Sequence, residues 1–158
     1  MKKSYAPGFT LIEILIVVTL LGVLASIVVP SFVSADDDAQ YNAFVANVRS
    51  FAGAARVYME KTGQYLENSN SGDCPAGWEP YVNEQAWTND TPIGGVWDVE
   101  LNSFGIVSAF GVHFIAGHGA IRDDVYMMEI DRIMDDGNLA TGIFRKIDSN
   151  RYYYILEG

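Results

Sequence analysis

Cysteine and histidine are almost missing from this chain of 158 residues, which holds one Cys and two His. With Cys74 alone, neither an intrachain disulfide nor a cysteine-rich zinc site can form, and a free thiol in a polar loop is its default state. His113 falls in a strand-like segment and His118 in a glycine loop, so a shared metal site requires the fold to bring them together; separate structural or solvated roles are the plainer reading. Basic residues are scarce too. Lys and Arg number 10 against 20 Asp and Glu, giving a net charge of −10, and no basic patch exists beyond Lys2-Lys3. That argues against nucleic acid as a main partner, since backbone binding depends on clustered Lys and Arg. Nucleophile-elbow, phosphate-loop and HExxH patterns are absent as well.

What the chain does have is a long apolar run from Phe9 to Val33, behind a short basic start. As a helix it would span roughly 37 Å, enough for a bilayer core of about 30 Å. Lys2 and Lys3 would hold its N-terminal end in the cytoplasm. The alternative is a signal peptide cut after Ala35, behind Val33-Ser34. Against that stand the length of the run and the position of Glu13 in its first part. A carboxylate inside a membrane helix costs about 2.5 kcal/mol or more on insertion scales.

Gly8-Phe9-Thr10-Leu11-Ile12-Glu13 behind the basic leader resembles the processing site of the type IV pilin superfamily, which includes the pseudopilins of type II secretion. The resemblance implies cleavage between Gly8 and Phe9 by a prepilin peptidase, then N-methylation of Phe9. It also implies a role in assembly for Glu13, one helical turn beyond the new amine. An intrahelical pair with that amine would neutralise both charges in part. In a stack of identical helices, Glu13 could instead meet the amine of a neighbouring subunit and set the axial register, the best-attested use of polar groups in apolar surroundings. Snorkelling to the headgroups is the simpler alternative. Gly22 and Pro30 fall where glycine and proline are common in the superfamily. Kinking alone explains them; the family implies a segment that loosens when subunits pack.

Beyond the run, "SADDDAQ" (residues 34–40) marks the exit into water. Phe44, Val45, Val48, Phe51, Ala52, Ala55, Tyr58 and Met59 then recur at intervals of three and four, which predicts an amphipathic helix continuing the first. Gly63 supplies its C-cap. Residues 64–92 read as a loop over the core with a short helix near Asn83–Trp87. Gly95 to Leu101 reads as a strand, Asn102-Ser103 as a turn and Phe104 to Ile115 as a second strand. Ile121 to Met134 reads as a helix with Val125, Met128 and Ile133 on one side. Thr141–Ile147 and Tyr152–Leu156 form a hairpin. The fold class is therefore α+β: a long N-terminal helix, half membrane and half amphipathic, on a small antiparallel sheet, as in a pilin-like head. Its parts are a leader (1–8), a transmembrane or filament-core helix (9–33), its amphipathic continuation (34–62) and a globular head (63–158). "TPIGGVWDVE" and "MDDGNLATGIFR" also look like pseudopilin-related proteins.

Asp131, Asp135, Asp136 and Asn138 surround Gly137, and oxygen ligands on a glycine turn suit calcium. The twelve-residue EF-hand pattern is missing. Some type II major pseudopilins bind calcium in a C-terminal loop that this sequence does not clearly reproduce, and a helix end entering a hairpin explains the same residues. No cofactor is otherwise expected. The function expected is a structural filament subunit, of a type IV pilus-like or type II secretion filament, and not an enzyme. The family implies as partners identical or related subunits, the peptidase, an inner-membrane platform protein, an assembly ATPase and membrane lipid. It also implies a single-pass inner-membrane precursor with its head outside, later a periplasmic or extracellular filament. A membrane-anchored module binding a surface ligand or DNA through residues 64–92 is the main rival. An enzyme secreted after cutting at Ala35 is the other.

Overall fold

A computed structural model describes residues 8–158 and, within them, every side chain except those of residues 27–35. Residues 1–7, most of the expected leader, and the side chain of Pro30 lie outside the described residues. The chain divides into two compact units after Ala39. Helix α1, Leu11–Thr62, runs through that division, close to the bounds expected from periodicity.

In the first unit the large apolar side chains described, from Phe9 to Leu24, are all at least half exposed. In the second, the helix lays down the expected stripe. Phe44, Val45, Val48, Phe51, Ala52, Ala55 and Tyr58 are buried, whereas Met59 is exposed and turns out not to belong to it. Gly63, in the left-handed region at φ 73°, ends the helix and donates its N–H to the Met59 carbonyl at 2.8 Å, the left-handed cap that glycine adopts without a Cβ penalty.

The head is a four-stranded antiparallel sheet in the order β1-β2-β4-β3. Its strands are β1 (Val96–Ser103), β2 (Ile106–His113), β3 (Phe144–Asp148) and β4 (Arg151–Glu157), with short helix α2 (Glu84–Thr88) before β1 and α3 (Asp124–Met134) between β2 and β3. Asn83 caps α2 by accepting from the Ala86 N–H. The first hairpin turns two residues later than expected. Phe104 and Gly105 make the reversal, both at positive φ, so Asn102 and Ser103 remain in the strand. Strand pairing leaves no room for a side chain at Gly111: a β-carbon there would lie 2.6 Å from the Tyr153 Cα on β4.

Phe51 of α1 sits edge-on to Trp78, Trp87 and Trp97 at centroid distances of 6.0, 5.2 and 4.9 Å. All three tryptophans are fully buried, so the loop segment 64–92 supplies core through Leu66, Trp78 and Trp87 rather than merely covering it. It also protects the β1 edge: Gly72 donates to the Trp97 carbonyl and the Asn68 side chain accepts from the Leu101 N–H. An edge strand otherwise presents unpaired backbone groups. Helix α3 corrects another expectation. Its buried face is Met127, Ile130 and Asp131, while Val125 and Ile133 point outward.

Candidate functional site

The start of α1 is held by a reciprocal pair. The Glu13 N–H donates to Thr10 Oγ1 at 3.3 Å, and Glu13 Oε2 accepts from the Thr10 N–H at 2.8 Å and from the Thr10 hydroxyl at 2.7 Å. This is a capping box, which satisfies two backbone donors that a helix start leaves orphaned. The T-x-x-E signal for it stands in the sequence; reading Glu13 only as a buried charge overlooked it. Gly22 has nothing within 4 Å of where a β-carbon would stand, so among the described residues no packing requires glycine there. Among the described residues no helix is long and apolar enough to cross a membrane, and the described side chains of the apolar run stop at Ser26.

The two histidines do not meet at a shared metal group among the described residues. His118 Nδ1 lies 2.7 Å from Asp90 Oδ1 on the surface. His113 joins a network on the sheet face away from α1. Buried Asp98 accepts from Arg151 at 2.7 Å and from the Tyr153 hydroxyl, while Arg151 also pairs with Glu100. Burial, followed by the Arg151 charge, lowers the His113 pKa, and burial beside Asp98 holds the Tyr153 phenol far above its ordinary range. Ser71 Oγ lies 2.9 Å from His113 Nδ1, and Asp98 Oδ2 lies 3.5 Å from that same nitrogen. In a nucleophilic triad the acid and the hydroxyl take opposite ring nitrogens. One nitrogen cannot orient toward the acid and accept the serine proton together, so this trio cannot activate Ser71 as such a triad does. Burial, then Glu79 and Glu84, pushes the Cys74 thiol up to about 11, which leaves it protonated and a poor nucleophile at neutral pH.

The acidic residues around Gly137 do converge. Carboxylate oxygens of Asp131, Asp135 and Asp136 lie within 4.8 Å of one another. Asp135 accepts from the Ile143 N–H. Asp136 accepts from the Asn138 N–H and the Thr141 hydroxyl, each at 2.8 Å. The Asn138 side-chain oxygen accepts from the Ala140 N–H at 3.2 Å, so that side chain supports the turn. Burial, then the Asp136 and Asp135 charges, pushes Asp131 up to about 6, against the weaker pull of the nearby Asn138 and Gly137 N–H groups; neither N–H reaches full hydrogen-bond geometry with it.

Comparison with known proteins bears on the N-terminal helix. Residues 3–29 match the prokaryotic N-terminal methylation motif. The type II secretion system core protein G of Pseudomonas aeruginosa is 40% identical over 58 residues, 37% of this chain and 41% of that protein. The type IV major fimbrial protein FimA of Dichelobacter nodosus is 37% identical over 76 residues, 48% of this chain and 45% of FimA. Over its N-terminal part the chain is thus similar to type IV pilins and type II secretion pseudopilins, which supports that superfamily. It spans less than half the length of those two relatives. A fimbrial protein of Dichelobacter nodosus aligns at 25% identity over 90% of this chain and 86% of its own. The likeness thus extends into the head at lower identity. A long helix followed by a small antiparallel sheet is the pilin-like architecture, and it is the one observed.

Proposed function

We propose that this chain is the precursor of a filament subunit, cleaved between Gly8 and Phe9, N-methylated on Phe9 and assembled through α1. One observation carries the reading: the methylation motif covers the segment whose described large apolar side chains, from Phe9 to Leu24, are all exposed in the single chain. Surface of that kind needs lipid or other helices around it. Before assembly the apolar run would anchor the subunit in the inner membrane with the head outside; afterwards it would lie among its copies. Glu13 would then exchange its contacts with Thr10 for the amine that cleavage creates, in its own chain or in the neighbour. The reading is of a structural protein. The relatives named above are secretion and fimbrial proteins, and the Ser71–His113–Asp98 geometry supports no nucleophilic chemistry.

N-terminal sequencing and mass analysis of the mature protein test it. A chain beginning with methylated Phe9 supports the filament reading. A mature chain beginning at Asp36 overturns it.

A further inference from the structure

The last turns of α1, the start of the loop after it and the end of β4 line an open cleft of about 250 Å³. Buried Ala55 and Leu66 contribute to it, together with the more exposed Met59, Tyr65 and Leu156. Its charged lining is unequal, with Glu60 and Glu157 against Arg56. Arg56 donates to the Tyr154 hydroxyl at 3.3 Å, whereas no ion pair among the described residues involves either glutamate. An apolar cleft with an excess of negative charge suits a ligand that has a hydrocarbon body and a cationic end. Long cationic side chains are built in this way, and they bury the stem while the charged head stays in water. Size narrows the choice further. Sites for drug-sized ligands run from about 300 to 1,000 Å³, whereas an apolar cavity of about 150 Å³ already holds benzene. The cleft therefore has room for one side chain, and little more.

We propose that this cleft receives one lysine side chain from a basic segment of a partner protein. The four-carbon stem would lie against Met59, Leu66 and Leu156, and the ammonium would be shared by Glu60 and Glu157. Lysine suits the cleft better than arginine does. A guanidinium gains most from planar, bidentate partners, and Arg56 already brings one guanidinium to the cleft. The net charge of −10 favours a basic partner over an acidic one, because it steers the encounter. Two copies of so acidic a chain repel each other at long range, which makes a second copy the poorer source of the lysine. The site is independent of the filament reading, since it lies wholly within the head.

The test uses the full chain in detergent, titrated with Nα-acetyl-lysine methylamide and followed by NMR at the methyl groups of Met59, Leu66 and Leu156. Saturable shifts are expected there, with a dissociation constant of roughly 1–10 mM for so small a ligand. The norleucine analogue keeps the stem and lacks the ammonium. It should bind about fivefold more weakly, the upper end of what a solvent-exposed ion pair contributes. Glu60 and Glu157 are exposed, so the double variant Glu60→Gln/Glu157→Gln should fold and lose that preference. Met59→Trp, also at an exposed position, should close the cleft to both ligands. Absence of saturable shifts up to about 50 mM (roughly five times the weak end of that range) overturns the proposal. Equal binding of the two ligands overturns it as well, as does a folded double variant that keeps the preference. Putrescine that displaces the lysine amide at equal or lower concentration assigns the cleft to a free diamine. Carbodiimide cross-links from Glu60 or Glu157 to Lys61 of a second copy assign it to a contact between copies. Either result sinks the partner reading.

Discussion

Glu13 has two candidate tasks, capping α1 and pairing with the Phe9 amine, and a pair of substitutions separates them. Thr10→Ala removes the hydroxyl that accepts from the Glu13 N–H and donates to its carboxylate but leaves the charge. Glu13→Gln keeps an acceptor for the Thr10 N–H but removes the charge. Losing an N-cap costs about 1 kcal/mol, or roughly fivefold in an equilibrium at 1.36 kcal/mol per decade. Stranding one member of a buried charge pair costs about 3–5 kcal/mol, which is more than a hundredfold on the same scale. We therefore predict that Thr10→Ala lowers filament incorporation only a few-fold, whereas Glu13→Gln nearly abolishes it. Both variants should still be cleaved at Gly8–Phe9. The assay is the ratio of sheared, sedimentable subunit to processed subunit left in the membrane, with processing followed by mass. If Thr10→Ala reproduces the whole loss, Glu13 acts as a cap and the charge-pair argument fails.

Three further outcomes follow from the head and the helix. Gly111→Ala should destabilise the head by about 3 kcal/mol, the upper end of overpacking costs, because the new carbon meets the β4 backbone; urea unfolding measures it. Arg151→Ala should cost about 3 kcal/mol by stranding Asp98, with Arg151→Ala/Asp98→Ala recovering part of that loss in a double-mutant cycle. For His113 the folded state disfavours the proton, so the unfolded chain takes up more protons and stability falls as pH drops from about 7 through the ordinary histidine value near 6.5. Asp131, raised to about 6, titrates with the opposite sign in this window. The readout is therefore the difference between parent and His113→Gln, which should narrow as pH falls; a constant difference contradicts the assignment.

Periodicity carried much of the fold because α1 obeys it: from Phe44 to Tyr58 the residues that recur at three and four are the ones buried. It failed at Met59, one step past the last buried position, and on α3, where tertiary context reverses hydropathy. Val125 and Ile133 are apolar and exposed, whereas Asp131 is charged and enclosed. No window average anticipates a carboxylate on the inner face of a helix, since its environment comes from the α3–β3 loop and not from its neighbours in sequence. The first hairpin was misplaced for a related reason. Asn102-Ser103 has turn composition, but the reversal uses Phe104 in the left-handed region beside Gly105, an arrangement that Phe rarely adopts. The Asp98–Arg151 pair joins residues from opposite ends of the head across β2, where spacing offers no cue.

The same helix behaves in two ways because of what lies beside it. From Phe44 onward the sheet and the Trp78, Trp87 and Trp97 cluster enclose its apolar stripe. Between Phe9 and Leu24 the large apolar side chains are all at least half exposed. Burying a Leu, Ile, Val or Phe fully is worth roughly 1.5–3 kcal/mol, so this segment forgoes many kcal/mol that surroundings outside the chain would supply. Lipid can do so without specificity, and identical helices can do so with register. On the proposed reading Glu13 would distinguish the two surroundings: in hydrocarbon its charge would be a penalty met locally by Thr10, whereas among copies bearing a freed Phe9 amine it would gain a partner. On the proposed reading, assembly would be favoured over storage chiefly where cleavage has already produced that amine, which would make processing a precondition for the filament and not merely trimming.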